Sequence, residues 1–311
     1  MKISVVTTLY KSAPYVQEFY ERIKDCLRKI TSDYEIIFVD DGSPDDSLTK
    51  ALKIQETDSR TIVIELSRNF GQHKALMTGL KHSSGDFVFV LDSDLEESPE
   101  WLEQFYQKLQ EENCDVVYGV QQKRKGKWFE RISGNIFYRL MNTLTDLDLS
   151  PNLVTTRLMT RDYVNSLLLF NEKEIFLAGL WQITGYKQIP ITVTKKSNSQ
   201  TSYSVIKKMT IFINAVTSFT NKPLIYIFGF GFVISLIAVV YIFYLITAKI
   251  FYAHPISGWV SLIVSVWFLG GIIILFMGVI GIYLSKIFIE TKNRPYTIVK
   301  KLYQHEHEQS L

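Results

Sequence analysis

The chain has 311 residues, of which 47% are hydrophobic, and its formal net charge is +3 at pH 7. This length suits one large domain with an appendage, and so small a net charge argues against binding of nucleic acid by bulk electrostatics. The two cysteines, Cys26 and Cys114, lack the spacing of metal-binding or redox motifs, so we expect two reduced thiols. The N-terminus lacks the pattern of a signal peptide, which predicts that the first domain stays on the side where it is synthesised.

Short β-rich segments alternate with helical segments over the first part of the chain. Strands are predicted at 3–9, 35–39, 61–66, 87–91 and 116–120, and helices at 15–30, 45–55, 74–82 and 99–112. This alternation predicts a mostly parallel α/β sheet, whose ligands bind beyond the carboxyl ends of the strands. Acidic clusters at Asp40–Asp41 and Asp92–Asp94 each follow a predicted strand. We therefore expect both clusters to belong to one site.

Two further segments, 121–150 and 203–222, combine basic and aromatic residues. Such segments can lie in a membrane interface. Ordinary surface helices with a solvated basic face are the alternative.

The C-terminal part contains two long uncharged segments, 224–248 and 259–285. As a helix, the first would be about 37 Å long, enough to cross a hydrocarbon core of about 30 Å. Pro255 and Gly258 interrupt the short connection between them. These features predict a transmembrane helical hairpin. The alternative, a pair of buried core helices, is disfavoured because core helices seldom stay uncharged for so long.

Basic residues flank both outer ends of the hairpin: Lys207, Lys208 and Lys222 before it, and Lys286, Lys292, Arg294, Lys300 and Lys301 after it. The connection holds only Lys249, so the positive-inside rule places both flanks in the cytoplasm. The predicted organisation is a cytoplasmic catalytic domain at 1–202, with an interfacial segment at about 123–145. An amphipathic juxtamembrane helix at 203–222, the hairpin at 223–286 and a cytoplasmic tail at 287–311 follow.

Asp92, Ser93 and Asp94 follow a buried apolar strand. Carboxylates one residue apart at a strand end can share a hard divalent cation with the oxygens of a diphosphate. Such a cation would neutralise the charge that develops on a nucleoside diphosphate leaving group.

Several motifs together resemble the family 2 glycosyltransferases of GT-A fold, and within them the polyprenyl-phosphate glycosyltransferases. That group includes dolichyl-phosphate mannose synthases and bactoprenol glucosyltransferases. The segments that carry the resemblance are 4–6, 39–43, 67–71, 92–96, 157–159 and 289–295. The last of these, after a two-helix hairpin, is typical of the bactoprenol-linked branch. The resemblance covers almost the whole chain and implies a GT-A, Rossmann-like sheet with juxtamembrane helices.

The resemblance implies roles for individual residues on the donor side. Thr8, Leu9, Tyr10, Asp40 and Asp41 would line the nucleotide pocket, and Arg68 and Ser93 would also contact the donor. Asp92 and Asp94 would be catalytic and would hold Mg²⁺ or Mn²⁺, with Glu96 as a further oxygen ligand where relatives often have Gln. The alternatives are a plain strand-to-helix turn at 40–43 and a surface ion pair at Arg68.

The acceptor is expected to be a lipid phosphate, which requires cationic partners. The candidates are Arg124, Arg131, Arg157, Lys195 and Lys196, and Arg157 would also be catalytic. Relatives usually have Arg before a Gly-containing loop where this chain has 195–203. Bactoprenol glucosyltransferases often carry a proposed catalytic Asp two residues before the equivalent of Arg157, and this chain has Thr155.

The function implied is inverting transfer of a sugar, with a UDP-linked hexose expected, to undecaprenyl or another polyprenyl phosphate for cell-envelope glycan modification. The expected location is the cytoplasmic membrane, crossed more than once, with the catalytic domain and both termini in the cytoplasm. A downstream flippase and transferase are expected partners, and a homo-oligomer is left open. The alternatives are a catalytically altered membrane scaffold of the same fold and a processive polysaccharide synthase, which would need more membrane helices.

Overall fold

A computed structural model of the chain describes residues 1–121, 142–145, 152–195, 213–214, 216–252 and 258–305. The chain forms two compact units. The first comprises Met1–Asn142, Leu147–Val205 and Arg294–Leu311, and the second comprises Thr143–Asp146 and Ile206–Asn293. The residues that follow the two long apolar helices therefore belong to the same unit as the N-terminal residues.

The first unit begins with strands and helices in strict alternation. In chain order they are β1 (Ile3–Leu9), α1 (Val16–Ile30), β2 (Tyr34–Asp40), α2 (Ser47–Thr57), β3 (Thr61–Leu66), α3 (Gln72–His82), β4 (Phe87–Val90), α4 (Trp101–Glu112) and β5 (Val116–Gln121). After a gap come β6 (Leu153–Thr160), α5 (Arg161–Leu167), α6 (Leu177–Ile183) and β7 (Gln188–Val193). The predicted elements up to residue 121 are all present, and their ends differ from the predictions by a residue or two.

The strands form an eight-stranded sheet in the order β7-β5-β6-β4-β1-β2-β3 and a last strand, β8 (Val299–Tyr303). Strand β1 pairs in parallel with β2 and β4, β2 with β3, and β5 with β7. Strand β6 is antiparallel to β4 and β5, and β8 is antiparallel to β3. The predicted mostly parallel α/β sheet is confirmed. Strands β6, β7 and β8 lie beyond the region for which the sequence predicted strands.

The central strands β1 and β2 are buried at nearly every position rather than at alternate ones, because both faces of the sheet are covered. Helix α1 buries Val16, Phe19, Ile23 and Leu27 at helical spacing. Helix α3 approaches the sheet closely at Gly79, where a Cβ atom would overlap Val6 and lie 2.9 Å from Val39 Cγ2. This close approach packs α3 against β1 and β2.

The second unit contains the helices α7 (Lys222–Tyr252) and α8 (Trp259–Thr291). Within the described residues, two helical spans are long and apolar enough to cross a membrane: Lys222–Tyr241 and Ser265–Thr291. Their mean hydropathy is 2.5 and 2.4, and neither span is buried inside the protein. Exposed apolar surface on this scale is unfavourable in water and marks a site of interaction. It therefore suggests association with a membrane. Most of the two basic and aromatic segments lies outside the described residues.

Candidate active site

A cavity of about 300 Å³ lies at the carboxyl ends of the central parallel strands. Its lining residues are Thr8, Tyr10, Ser12, Asp41, Asn69, Gly71, Gln72, Asp92, Ser93 and Asp94. The two acidic clusters, which are far apart in sequence, thus contribute to one cavity. Of the other residues expected on the donor side, Leu9 packs its side chain in the core, and its carbonyl oxygen accepts a hydrogen bond from Asp41 N at 2.9 Å.

Asp41 organises the loop that follows β3. Its Oδ1 accepts a hydrogen bond from Phe70 N at 2.7 Å, and its Oδ2 accepts one from Gly71 N at 2.9 Å. Gly42 has a φ of +63°, and a Cβ atom there would lie 2.6 Å from Asn69 N. Only glycine therefore lets the Ser67–Gly71 loop approach the end of β2 so closely.

Asp40 precedes Asp41 and, like it, is almost fully buried. Its Oδ2 accepts a weak hydrogen bond from Ser43 N at 3.3 Å. Burial raises the pKa of both Asp40 and Asp41. Arg68 is exposed at the start of the loop, with its guanidinium carbon 4.2 Å from the centre of the Phe70 ring.

A tight turn carries Asp92 and Asp94 to the cavity. Gln72 Nε2 donates to Asp92 Oδ1 at 2.7 Å, Glu96 N donates to Asp94 Oδ1 at 3.0 Å, and Ser93 Oγ donates to Thr8 O at 2.9 Å. Leu95, which is buried, adopts a φ of 58°. Because a left-handed backbone costs a non-glycine residue roughly 1–2 kcal/mol, the turn holds local strain beside the two carboxylates.

Glu97, which the sequence analysis did not select, is fully buried behind this turn. Its carboxylate accepts hydrogen bonds from Thr155 N at 3.3 Å, from Thr156 N at 3.0 Å and from the Thr156 hydroxyl. Lys195 Nζ lies 3.5 Å from Glu97 Oε1 and 3.3 Å from Glu96 Oε2. Glu97 therefore fixes β6 against the acidic turn. The only sequence signal for it was its place in the acidic run that begins at Asp92.

The acidic turn has unusual electrostatics. Burial and the nearby charge of Glu97 raise the pKa of Asp92 to about 7, although Lys195 and the Thr155 side chain act in the opposite direction. Burial lowers the pKa of Lys195, but the negative charges of the surrounding carboxylates have the larger effect and raise it overall. These carboxylates are Glu97, Asp92, Asp94 and Glu96. Lys195, expected at the acceptor phosphate, thus lies among carboxylates in this structure.

The donor set for a divalent cation is only partly assembled. Asp92 and Asp94 line one cavity and offer the oxygen ligands that Mg²⁺ and Mn²⁺ prefer. Glu96, the expected third ligand, is instead paired with Lys195. Among the described residues no group of three or more His, Cys, Asp or Glu side chains could hold a metal ion. A cation here would therefore need ligand oxygens from a bound diphosphate as well.

Arg157 lies inside the unit rather than at its surface, with a relative exposure of 1%. Its Nε donates to Thr155 O at 3.3 Å, and its guanidinium carbon lies 3.0 Å from the centre of the Trp181 ring. Burial lowers the pKa of Arg157 to about 9. Its Nη2 is buried and has no hydrogen-bond partner within the described part of the chain. Arg124, Arg131 and Lys196 lie outside the described residues.

Comparison with known proteins places these features in a family. The sequence model described as Glycosyl transferase family 2 matches residues 4–168. A Mycobacterium tuberculosis protein named "Putative glycosyltransferases" is 50% identical over 303 residues, which cover 97% of this chain and 89% of that protein. The Escherichia coli K12 "Prophage bactoprenol glucosyl transferase homolog" is 30% identical over 308 residues, which cover 97% of this chain and 99% of that protein.

Solved structures are similar at lower identity. Mannosyl-3-phosphoglycerate synthase from Rubrobacter xylanophilus is 15% identical, with a TM-score of 0.48 and coverage of 70% of this chain and 72% of that one. S. aureus TarS 1-349 in complex with UDP is 18% identical, with a TM-score of 0.45 and coverage of 70% and 65%. The family model spans more than half of the chain and the relatives match nearly all of it, so this protein belongs to glycosyl transferase family 2.

Proposed function

We propose that the protein transfers a hexose, with inversion, from a UDP-linked sugar to a polyprenyl phosphate at the cytoplasmic face of a membrane. The observation that carries this proposal is the presence, in one chain, of the acidic cavity and of two exposed apolar helices long enough to cross a membrane. Relatives named bactoprenol glucosyl transferase match 97% of the chain, which includes those helices, and this supports a lipid phosphate as acceptor.

On the donor side, the proposed roles follow from the lining of the cavity. Tyr10 and the Asn69–Gly71 loop border the space for the nucleotide, and Asp41 holds that loop in place. Mg²⁺ or Mn²⁺ held by Asp92 and Asp94 would offset the charge on the departing diphosphate. Lys195 adds a positive charge to the same cluster, and it would stabilise the diphosphate further.

On the acceptor side, this chain has Thr155 where a residue that acts as a catalytic base would be expected, and a phosphate acceptor explains why none is needed. A phosphate monoester has its second pKa near 6 and is largely a dianion at cytoplasmic pH, so it needs no residue to remove a proton. Thr155 lies close enough to Asp92 to affect its pKa. An Asp at position 155 would add another negative charge to the cluster of Asp92, Asp94, Glu96 and Glu97. A single displacement by the phosphate oxygen would invert the anomeric carbon.

The fold also supports the proposed topology. Residues before and after the two apolar helices belong to the same compact unit, and β8 is hydrogen-bonded to β3. If the helices cross a membrane, the two flanking segments must therefore lie on one side of it, and their basic residues favour the cytoplasmic side. Because the native Cys26 and Cys114 are buried, cysteines introduced one at a time as His254→Cys and His305→Cys should be labelled from opposite sides. Labelling of both from the same side would contradict this topology.

The decisive experiment is a screen of nucleotide sugars with the purified protein and undecaprenyl phosphate. The expected result is a lipid-linked monosaccharide by mass spectrometry, with an inverted anomeric centre by NMR. A protein that binds nucleotide but gives no product with any sugar would favour the scaffold alternative. A polymeric product would favour a processive synthase.

A further inference from the structure

The segment that follows the second apolar helix is built into the first unit at several points. Thr297 Oγ1 lies 2.8 Å from Thr78 Oγ1 in α3, Ser67 N donates to Ile298 O at 3.0 Å, and His305 Nε2 lies 2.8 Å from Gln55 O in α2. Between these contacts β8 pairs with β3, with a shift of register between Glu65 and Leu66 that lies at Lys300. The segment is therefore an integral edge of the sheet and not a free tail.

This edge strand lies next to the loop that enters the cavity. Strand β3 ends at Leu66, and the Ser67–Gly71 loop follows directly, so the bond from Ser67 N to Ile298 O fixes the first residue of the loop. Asp41 fixes the last two residues of the same loop through their amides. Asn69, which lies between these two anchor points, and Gly71, which is part of the second, both line the cavity. The tail thus supplies one of the two attachments of a cavity loop.

The edge strand also neutralises a buried charge beside the site. Glu65, with a relative exposure of 9%, lies opposite Asp40 in the pairing of β2 with β3. Lys300 Nζ lies 2.5 Å from Glu65 Oε1, and Tyr303 OH donates to Glu65 Oε2 at 2.9 Å. Lys300 holds the pKa of Glu65 below its ordinary value, while the charge of Glu65 contributes to the raised pKa of Asp40. Without Lys300, the carboxylate of Glu65 would lose its ion pair one residue before the end of β3.

We propose that Lys300 and Tyr303 are positioning residues for the nucleotide donor. Lys300 neutralises Glu65 and Tyr303 donates a hydrogen bond to it, and both hold the end of β3, so the Ser67–Gly71 loop keeps the position that receives a nucleoside diphosphate. The inference rests on the proposed donor site and adds to it a dependence of donor affinity on the segment after the second apolar helix. A tail that merely stabilised the fold would leave donor affinity unchanged in any variant that remains folded.

The test measures the affinity for UDP, and in parallel for GDP, by isothermal titration calorimetry of the full-length protein in detergent. Lys300→Met should weaken nucleotide binding about two- to fivefold, because Glu65 loses its ion pair, and the effect is modest because Lys300 is largely exposed to solvent. Lys53→Met is the control, since it removes the same charge from an exposed position of α2 that does not line the cavity. Lys300→Arg should bind as the wild type does. The double variant E65Q/K300M should recover most of the affinity, because the unpaired charge is gone.

Turnover supplies a second readout. The KM for the donor should rise in Lys300→Met, while kcat at saturating donor and the KM for the lipid acceptor should stay unchanged. Wild-type nucleotide affinity in folded Lys300→Met, or an equal loss of affinity in Lys300→Met and Lys53→Met, would overturn this inference alone. Absence of nucleotide binding to the wild type would contradict the proposed donor site and this inference with it.

Discussion

Glu97 offers a sharp test of how the site is held together. Its buried carboxylate accepts hydrogen bonds from two backbone amides and one hydroxyl of β6 and pairs with Lys195. Replacement by alanine should destabilise the first unit by about 3–5 kcal/mol, because it leaves buried donors and a cation unpaired. Glu97→Gln keeps the shape and one acceptor oxygen, so we expect a loss of about 1–2 kcal/mol. In a unit of this size that corresponds to a fall in Tm of about 2–8 °C.

The assay is thermal unfolding followed by near-ultraviolet circular dichroism, with turnover measured on the same samples. Glu97→Gln should lower kcat by about tenfold or more, equivalent to 1.4 kcal/mol, because Thr155 and Lys195 lose their common anchor. Glu100→Gln is the control, since Glu100 is exposed and pairs with Arg22 outside the cavity. Wild-type Tm and wild-type turnover in Glu97→Gln would refute this account of the site.

Three other predictions follow from the structure and the proposed function. Asp94→Asn should abolish turnover, as should a chelator added to the wild type, and full activity in chelator would rule out the metal role. Thr155→Ala should keep nearly wild-type turnover and give a product with an inverted anomeric centre. Thr155→Asp should lower turnover of the lipid acceptor, because its carboxylate repels the acceptor phosphate. A product with a retained anomeric centre would contradict the single-displacement mechanism. Burial alone would raise the pKa of Asp58, but Lys24 and Tyr20 outweigh it and hold that pKa well below its ordinary value. Asp58→Asn should therefore unfold more easily than the wild type at pH 7, and the difference should shrink as the pH falls below about 4; a difference that persists at low pH would contradict this.

The order of elements in the first unit was predictable because it is encoded locally. Apolar runs such as Ile3–Leu9 and Tyr34–Asp40 are buried on both faces, and turn-forming residues separate them from amphipathic helices. Since the carboxyl ends of parallel strands share one edge, the strand positions also predicted that Asp41 and Asp92 would meet. The two apolar helices were evident for a similar reason, because their composition alone distinguishes them.

Partners of charged side chains were not predictable in the same way. Lys195 could be recognised as a cation, but its position between Glu96 and Glu97 depends on how β7 ends relative to the acidic turn. Arg157 could be recognised as a phosphate-binding candidate, but its burial against Trp181 follows from the packing of α6 on β6. Each of these contacts joins residues distant in sequence, and no local periodicity encodes them.

The sequence by itself determined the alternation of strands and helices, the acidic edge of the sheet and the two apolar helices, because each depends on residues within a short window. Only the tertiary structure decided that Glu97 anchors β6 and that Val299–Tyr303 forms the outer strand. That strand carries Lys300 and Lys301 in succession and is largely exposed, so its sequence resembles a polar tail. An edge strand needs only one bonded neighbour and little apolar burial; what makes it a strand is the free edge of β3, which lies more than two hundred residues earlier in the chain.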